Sequence, residues 1–480
     1  TNIRNVKSSD EIVLVEIDKK SLTQRSWPWS RDLFTDMFNY LEKEAGAKCI
    51  VFDNLILYPD SYYEEEDKLF NKSLKSFDTL INSYILLNSA NTANVLPEQY
   101  SDIFDEKSNI KIIDKRTNKY LPAYKAIINL PKDFLYNSKY FASSIIPEDN
   151  DEIVREYMPV VKYKDKIYPS LALSAYSTFT GISTYYLYDG NLCSEEDCSG
   201  LNIPVQEKKG RDYIGNNVYG IYNNIRWYKP IDKFNTHKSY SAIDVLLSYY
   251  AYKGGKTPKI KKNAFKNKIV ILGLNADKDV WERLSETPIL KRLADVDVHA
   301  TAINNMLDNK YYTHVKMSNI FIITAIFCLF LIRGFKSLKN NILFASILSL
   351  LYFIFYLYEH FTYVIAPPVS PIIVIFFIPL LKKIFKIITT DKNSELIKRA
   401  MGKYMSKDVM RKVVSNLDKL KLGGIRTNVT ILFVDIRNFT QISEKLSPQD
   451  VSSILNEYFS VIEPIIAKYN GIVNKYMGDG

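Results

Sequence analysis

The sequence predicts an α/β domain, then three apolar helices, then the start of an α+β domain. Three observations carry this reading. Strand–helix–strand punctuation runs through residues 1–316, a nearly uncharged apolar block fills 317–387, and a second strand–helix–strand pattern occupies 426–480. A chain of 480 residues has room for two or three domains, and 47% hydrophobic with 24% charged residues excludes both a disordered polymer and a protein embedded in lipid throughout. The net charge of +10 fits either nucleic acid or an anionic surface. Much of the excess lies beside the apolar block, near 333–339 and 382–403, so membrane lipid is the expected partner. No zinc-finger, homeodomain or RNP-type pattern occurs, and none of the 4 histidines stands in metal-ligand spacing, so nucleic acid is not expected. The chain opens on Thr1 and stops at Gly480 inside a motif, so a longer protein with an upstream anchor or cleaved signal is expected.

The first domain begins with "EIVLVEIDKKSL", a strand over Ile12–Ile17. In "WPWSRDLFTDMFNYLEKEAGAKCIVFD", Ser30 is the expected helix N-cap, Gly46 marks its end, and Leu33, Met37, Phe38 and Leu41 share one helical face. Cys49–Phe52 is then a second strand ending at Asp53, which implies a parallel, right-handed crossover. "NKIVILGLN" and "DVDVHATAINNML" supply another strand and helix, so the domain is α/β. Asp18 and Asp53 follow strands, where α/β folds often bind ligands, although loop capping is the commoner role. Trp27 and Trp29 are expected to pack rather than to cage a ligand. "GGKT" at 254–257 lacks the glycine that a phosphate-binding loop needs at position 250, which is Tyr250, and is set aside.

The stretches "VLVEIDKKSL", "WPWSR", "AGAKCIVFD", "YPSLALSAY", "NKIVILGLN", "TPI" and "DVHATAINNML" together resemble a CHASE-type extracellular sensor domain of the second type, over most of residues 10–310 and weakly in the middle. The resemblance implies an extracellular or periplasmic sensor joined to a cytoplasmic output, with an extracellular ligand of unknown identity.

Three apolar stretches follow, expected to span a membrane at about 317–333, 341–358 and 363–381. Pro367, Pro368 and Pro371 should disturb the start of the third. Basic residues set the orientation. Arg333, Lys336 and Lys339 follow the first span, and Lys382, Lys383 and Lys386 follow the third, whereas "EHFT" between the second and third carries neither lysine nor arginine. Residues 1–316 are therefore expected outside and 382–480 inside, in a multi-pass protein of the cell's inner or plasma membrane. On the oxidising side, Cys193 and Cys198 in "CSEEDCSG" either close a local disulfide or remain two thiols. Residues 388–425 mix charged and apolar residues at helical spacing until Gly423 and Gly424. They read as a helical connector, either paired with a second copy or simply solvated.

The last segment pairs two strands with acidic ends. Ile431–Val434 reads as a strand running into Asp435. Ser447 then caps a helix, with Pro448 and Asp450 in its first turn and Val451, Ile454, Leu455, Tyr458, Phe459 and Ile462 on its apolar face. Pro464 should kink it and Gly471 end it. "IVNKYMGDG" is a second strand, turning tightly at Asp479. Two carboxylates brought to one sheet end repel each other and invite a divalent cation such as Mg2+ or Mn2+.

"LGG", "VTILFVDIRNFT", "LSPQDVSSILNEYF" and "NGIVNKYMGDG" closely resemble the start of the class III adenylate/guanylate cyclase domain, a ferredoxin-like α+β fold, over residues 400–480. The resemblance implies that Asp435, the backbone carbonyl of Ile436 and Asp479 bind two divalent cations. It implies that Asn438, Phe439, Thr440 and Gly478 approach the nucleotide, that ATP is converted to 3′,5′-cyclic AMP and pyrophosphate, and that sites form in a homodimer. Two alternatives stand beside this: GTP as substrate, or a degenerate, non-catalytic module for dimerisation or nucleotide binding. No histidine-kinase phospho-acceptor helix and no GGDEF stretch is present.

Overall fold

Six parallel strands form the spine of the N-terminal region in the computed structural model, which describes residues 6–53, 64–88, 95–100, 102–117, 121–149, 151–211, 217–275, 284–314, 317–333, 338–361, 364–365, 369–401 and 428–479. The chain forms two compact units, Thr1–Val315 with Tyr358–Ala366 and Lys316–Leu357 with Pro367–Gly480.

In the first unit the strands are Ile12–Ile17 (β1), Cys49–Asp53 (β2), Leu80–Tyr84 (β3), Tyr140–Ser143 (β4), Lys238–Ser241 (β5) and Ile269–Leu274 (β6), in spatial order β5-β1-β6-β2-β3-β4. Leu14 of β1 lies opposite Ser239 of β5 and Ile271 of β6, and Ile271 lies opposite Val51 of β2. A parallel sheet is covered on both faces, so its strands are apolar almost throughout. Val13, Val15, Ile50, Phe52 and Leu272 face one core, shared with the helices Asp32–Phe38 and Ala242–Lys253. Ile12, Leu14, Val51 and Ile271 face the other, shared with Leu171–Thr180 and Asp295–Asp308. In chain order Lys19–Gln24 is α1, Asp32–Phe38 α2, Leu171–Thr180 α3, Ala242–Lys253 α4 and Asp295–Asp308 α5. Two four-stranded sheets built from the middle of the chain lie against the second core through Tyr157, Val160, Tyr185 and Leu187.

Local details refine the sequence reading. Ser30 does not cap α2: its hydroxyl turns to the Asp32 carboxylate, and the cap residue is Arg31, with no side-chain hydrogen bond. The helical face expected there is buried at Leu33, Met37, Phe38 and Leu41, with a π-helical turn at Asn39–Glu44 and Gly46 at φ +71° beyond it. Asp18 caps α1, accepting from the Ser21 amide at 2.9 Å. Trp29 is buried, donates from Nε1 to the Arg25 carbonyl at 3.0 Å, and packs on Phe34. Gly254 ends α4, so "GGKT" is a helix terminus. Cys193 and Cys198 form a disulfide with Cα atoms 5.1 Å apart.

The second unit is helical at its start. Met317–Arg333 (α6), Leu338–Phe361 (α7) and Ser370–Met401 (α8) occupy the apolar block. Ala345 and Leu348 of α7 pack with Ile375 of α8, against Phe327 of α6. Three spans were expected, but one helix among the described residues, Lys339–Tyr358 within α7, is long and apolar enough to cross a membrane. The apolar part of α6 is Ile320–Leu329. The third stretch does not start as a helix: Val364–Ile365 (β8) pairs in parallel with Thr313–His314 (β7) in the first unit. Both strand residues are β-branched, which favours extended backbone. Since α8 begins at Ser370, only Pro371–Leu381 precede Lys382, and the helix continues through Pro379. The connector is helical to Met401; residues 402–427, with Gly423 and Gly424, lie outside the described residues.

Further on, Phe439–Ser443 is a short helix (α9) and Pro448–Lys468 a long one (α10). Ser447 caps α10, its Oγ accepting from the Asp450 amide at 3.2 Å and donating to the Asp450 carboxylate at 2.6 Å. Pro464 does not interrupt α10, because a proline removes one helical hydrogen bond while the remaining ones persist. The strands expected at Ile431–Val434 and in "IVNKYMGDG" are not formed, and neither is the ferredoxin-like sheet. A strand exists only against a hydrogen-bonded neighbour, and no described segment pairs with either.

Gly273 of β6 tests the packing of the sheet. A Cβ there would collide with the Val296 side chain of α5 and stand 3.0 Å from the Asp53 carbonyl oxygen, which cannot yield without moving β2. Gly273→Ala is expected to cost about 1–3 kcal/mol, read as a lower Tm of the full chain, and an unchanged Tm would contradict the close approach of α5 to the sheet.

Candidate active site

Asp435 and Asp479 are separated by the whole of α9 and α10, yet their carboxyl groups meet. A side-chain hydrogen bond from Asp479, followed by the repulsion of its charge, raises Asp435 above the ordinary carboxylate range. The turn after Asp435 is tightly organised: the Ile436 amide donates to Asp435 Oδ1 at 3.0 Å, and the Phe439 amide donates to the Ile436 carbonyl at 3.2 Å. Asn438 takes the left-handed conformation at φ +63°, which a short polar side chain tolerates, and turns the chain into α9.

The second acidic arm is held by packing on α10. Tyr476 rests against Phe459 with ring centroids 4.8 Å apart. Gly471 returns the chain beneath Ile466, donating from its amide to the Ile466 carbonyl at 2.8 Å. A Cβ at this position would stand 3.1 Å from that same oxygen. Gly478, at φ +73°, supplies the left-handed turn just before Asp479.

The sequence reading expected Asp435 and Asp479 at one place, and the Asp479 side chain acts on the Asp435 carboxyl. Asn438, Phe439 and Thr440 lie on the turn beside Asp435, and Gly478 adjoins Asp479. The Ile436 carbonyl accepts one hydrogen bond and retains a second lone pair. No group of three or more His, Cys, Asp or Glu side chains suited to a metal occurs among the described residues. The donors at this place are two carboxylates and a backbone carbonyl, an all-oxygen set of the kind that Mg2+ and Mn2+ take from proteins alongside water and phosphate. These residues fit divalent cations.

Ile431, Leu432 and Phe433 stand exposed, as do Val461, Ile465 and Met477.

One polar feature of the first unit escaped the sequence reading. Glu16 lies buried inside the apolar strand β1 among Asn235, Asn275 and Asp297. Its only signal was a charged residue within "IVLVEI", in a strand buried on both faces.

Comparison with known proteins agrees with both parts. The CHASE2 domain family matches residues 1–334, and the "Adenylate and Guanylate cyclase catalytic domain" family matches residues 425–480. Adenylate cyclase 1 of Rhizobium meliloti is 34% identical over 76 residues, covering 16% of this chain and 11% of the relative. An adenylate cyclase of Anabaena cylindrica is 34% identical over 64 residues, 13% of each chain. An uncharacterized protein of Mycobacterium tuberculosis is 28% identical over 88 residues, 18% of this chain and 16% of the relative. The chain thus spans less than a fifth of the length of the curated relatives it matches. No solved structure matches. With a match across residues 1–334, and a cyclase catalytic segment near its C-terminus, the chain belongs to the CHASE2 domain family as a CHASE2–cyclase protein.

Proposed function

We propose that this protein is a membrane-bound sensor cyclase that converts ATP to 3′,5′-cyclic AMP and pyrophosphate on the cytoplasmic side, under control of a CHASE2 domain outside. The observation that carries the reading is the contact between the Asp435 and Asp479 carboxyls, which creates an acidic point beside the turn 436–440. ATP is preferred to GTP because two relatives carry the name adenylate cyclase.

In this reading Asp435, Asp479 and the Ile436 carbonyl hold two divalent cations. When bound, these supply the positive charge that eases deprotonation of the ribose 3′-hydroxyl and neutralises the triphosphate. The 3′-oxygen attacks the α-phosphorus, the bond to the bridging oxygen of pyrophosphate breaks, and the hydroxyl proton passes to solvent. Asn438, Phe439 and Thr440 carry the backbone past the phosphates, and Gly478 lets it approach without a side chain in the way. Exposed apolar residues at 431–433 and on α10 support a homodimer in which a second copy completes the site.

Residues 1–316 would lie outside, 317–387 cross three times, as 317–333, 341–358 and the start of α8 from Ser370 rather than from 363, 388–425 connect, and 426–480 act inside. Two features support the three crossings. The β7–β8 pair joins the chain just ahead of α6 to the chain just after α7, so both ends of the α6–α7 hairpin return to one side. Phe321, Leu343 and Phe377 leave 77%, 62% and 53% of their surface exposed on helices that lipid would cover.

Two measurements test the proposal. In membranes holding the full-length protein, cyclic AMP formation from ATP with Mn2+ is expected to fall at least about 100-fold in Asp435→Ala and in Asp479→Ala, a barrier increase of about 2.7 kcal/mol. Mn2+ retained by the protein, read by electron paramagnetic resonance, should fall in both variants and weaken as pH drops, because protons compete for the paired carboxyls. Undiminished activity in either variant would end the catalytic reading. For topology, a membrane-impermeant thiol reagent on intact cells should label Glu359→Cys, and Lys383→Cys only after permeabilisation; labelling of Lys383→Cys from outside would reverse the orientation.

A further inference from the structure

The parallel sheet carries, at the C-terminal end of its strands, a buried polar cluster that cyclase chemistry does not use. Glu16, 5% exposed, is the penultimate residue of β1. Its Oε1 accepts from Asn275 Nδ2 at 2.8 Å, and its Oε2 accepts from Asn235 Nδ2 at 3.3 Å. Asn235 Nδ2 also donates to Ser239 Oγ at 3.2 Å, while Asn235 Oδ1, buried, has no hydrogen-bond partner among the described residues. Nearby, Asp297 of α5 is fully buried. It accepts from the Thr236 amide and, at 2.8 Å, from Thr236 Oγ1, and lies 2.5 Å from His237 Nδ1. His237 Nε2 stands 3.2 Å from Asn304 Oδ1, which also accepts from the Ser9 amide at 2.7 Å.

The arithmetic of charge is unfavourable there. The one imidazole in this space, that of His237, is already in contact with Asp297. A second carboxylate in the same low-dielectric space has no counter-charge among the described residues. Other charged groups on the elements around β1 are engaged elsewhere. Asp18 caps α1, and Asp244 on α4 pairs with Lys20 and Lys259. On α5, Asp295 accepts from Ser285, and His299 faces Tyr157 and Asp53. Lys238 of β5 lies over the Tyr240 ring.

We propose that this cluster is a proton-binding site, in which a proton on Glu16 keeps the seam between β1, residues 235–239 and α5 closed, and its release loosens that seam and displaces α5. A neutral carboxyl brings an O–H that needs an acceptor, and Asn235 Oδ1 is an acceptor to spare. Burial pushes Glu16 up to about 7, with the nearby Asp297 charge adding to it and hydrogen bonds from Asn275, Asn235 and Ser239 opposing. The sign follows from linkage. The folded form holds the proton more tightly than the unfolded chain does, so this stability is complete below the ordinary glutamate range and is lost as pH rises towards about 7. An extracellular domain meets such changes directly.

The cluster also has a path onward. α5 ends at Asn309 in a left-handed cap, and Tyr312 is tied to Asn224 by a β-bridge. β7 follows immediately and pairs with β8, ahead of α8. Movement of α5 therefore acts on the strand pair from which α8 continues.

The site stands apart from the cyclase reading and is tested without activity. Infrared difference spectra of the full chain in liposomes, taken from about pH 5 to about pH 9, should show a neutral-carboxyl band that disappears with a midpoint near 7 and is missing in Glu16→Gln. Asn275→Ala, which removes the donor to the ionised form, should move the midpoint up by about one pH unit, and it serves as the test if Glu16→Gln does not fold. The rate of disulfide formation between Thr313→Cys and Val364→Cys should change across the same range beyond the change seen with Glu16→Gln added. Absence of a Glu16-dependent band, a midpoint in the ordinary glutamate range, or a midpoint indifferent to Asn275→Ala overturns the proton site. Crosslinking with the same pH response in both backgrounds overturns its link to the strand pair.

Discussion

A carboxylate removed from water, or set against another carboxylate, has to find a cation or a proton. That constraint acts at both ends of this chain. In the first unit Asp297 finds the imidazole of His237, while Arg116, buried, serves Asp114 and Glu207 together. Glu16 has no such partner among the described residues, and burial pushes its carboxyl up to about 7. In the second unit Asp435 and Asp479 face each other at the surface and share a hydrogen bond. The two cases differ in access. A site sealed in a core admits little besides a proton, whereas an exposed pair beside a turn is open to a hydrated divalent ion and the phosphates it carries.

The sheet explains why the polar groups collect where they do. Helices cover both faces, so every inward position along β1, β2 and β6 is apolar until the strands run out. In these three strands polar side chains collect at the C-terminal ends, where the chain leaves the sheet and backbone groups need partners. Glu16, Asp18, Asp53 and Asn275 all stand there. Their fates diverge with local geometry. Asp18 accepts at Oδ1 from the Ser21 amide and from the Ser21 and Ser241 hydroxyls, whereas Glu16 meets two amide side chains, Ser239 and the charge of Asp297.

The same geometry separates what was legible in the sequence from what was not. The runs "IVLVEI", "CIVFD" and "IVILGL" announce buried parallel strands by composition alone, and all three lie side by side. Ser447 announces α10 because a helix start needs an acceptor for its free amides. The pairing of Asp435 with Asp479 was legible through resemblance to a family in which both are placed by one sheet. Their contact here forms although that sheet does not, because α10 and the Phe459–Tyr476 contact position the second arm. Unreadable were features fixed by partners distant in sequence. The two central four-stranded sheets join segments far apart in sequence, such as Lys111–Asp114 with Thr184–Tyr188. The third apolar stretch looked continuous by hydropathy, yet Val364 and Ile365 are claimed by Thr313 and His314. The Glu16 cluster draws on residues near 16, 235, 275 and 297, and no local pattern links them.

That captured pair of residues bears on how the two units communicate. β8 belongs to the first unit, and the chain that leaves it becomes α8, an uninterrupted helix from Ser370 to Met401. Its 32 residues extend about 48 Å at 1.5 Å per residue, more than the roughly 30 Å of a bilayer's hydrocarbon core. A helix held by its backbone hydrogen bonds moves as one piece over such a length, whereas a flexible linker would absorb a small displacement at its first few torsions. α6 and α7 leave and return on the β7 side, so they add anchoring without carrying the chain onward. The chain leaves the first unit through β8, a strand of two residues, and continues into α8. Pro379, inside that helix, weakens one turn of the ladder, and it is the place where a push from β8 would bend the helix before it slid.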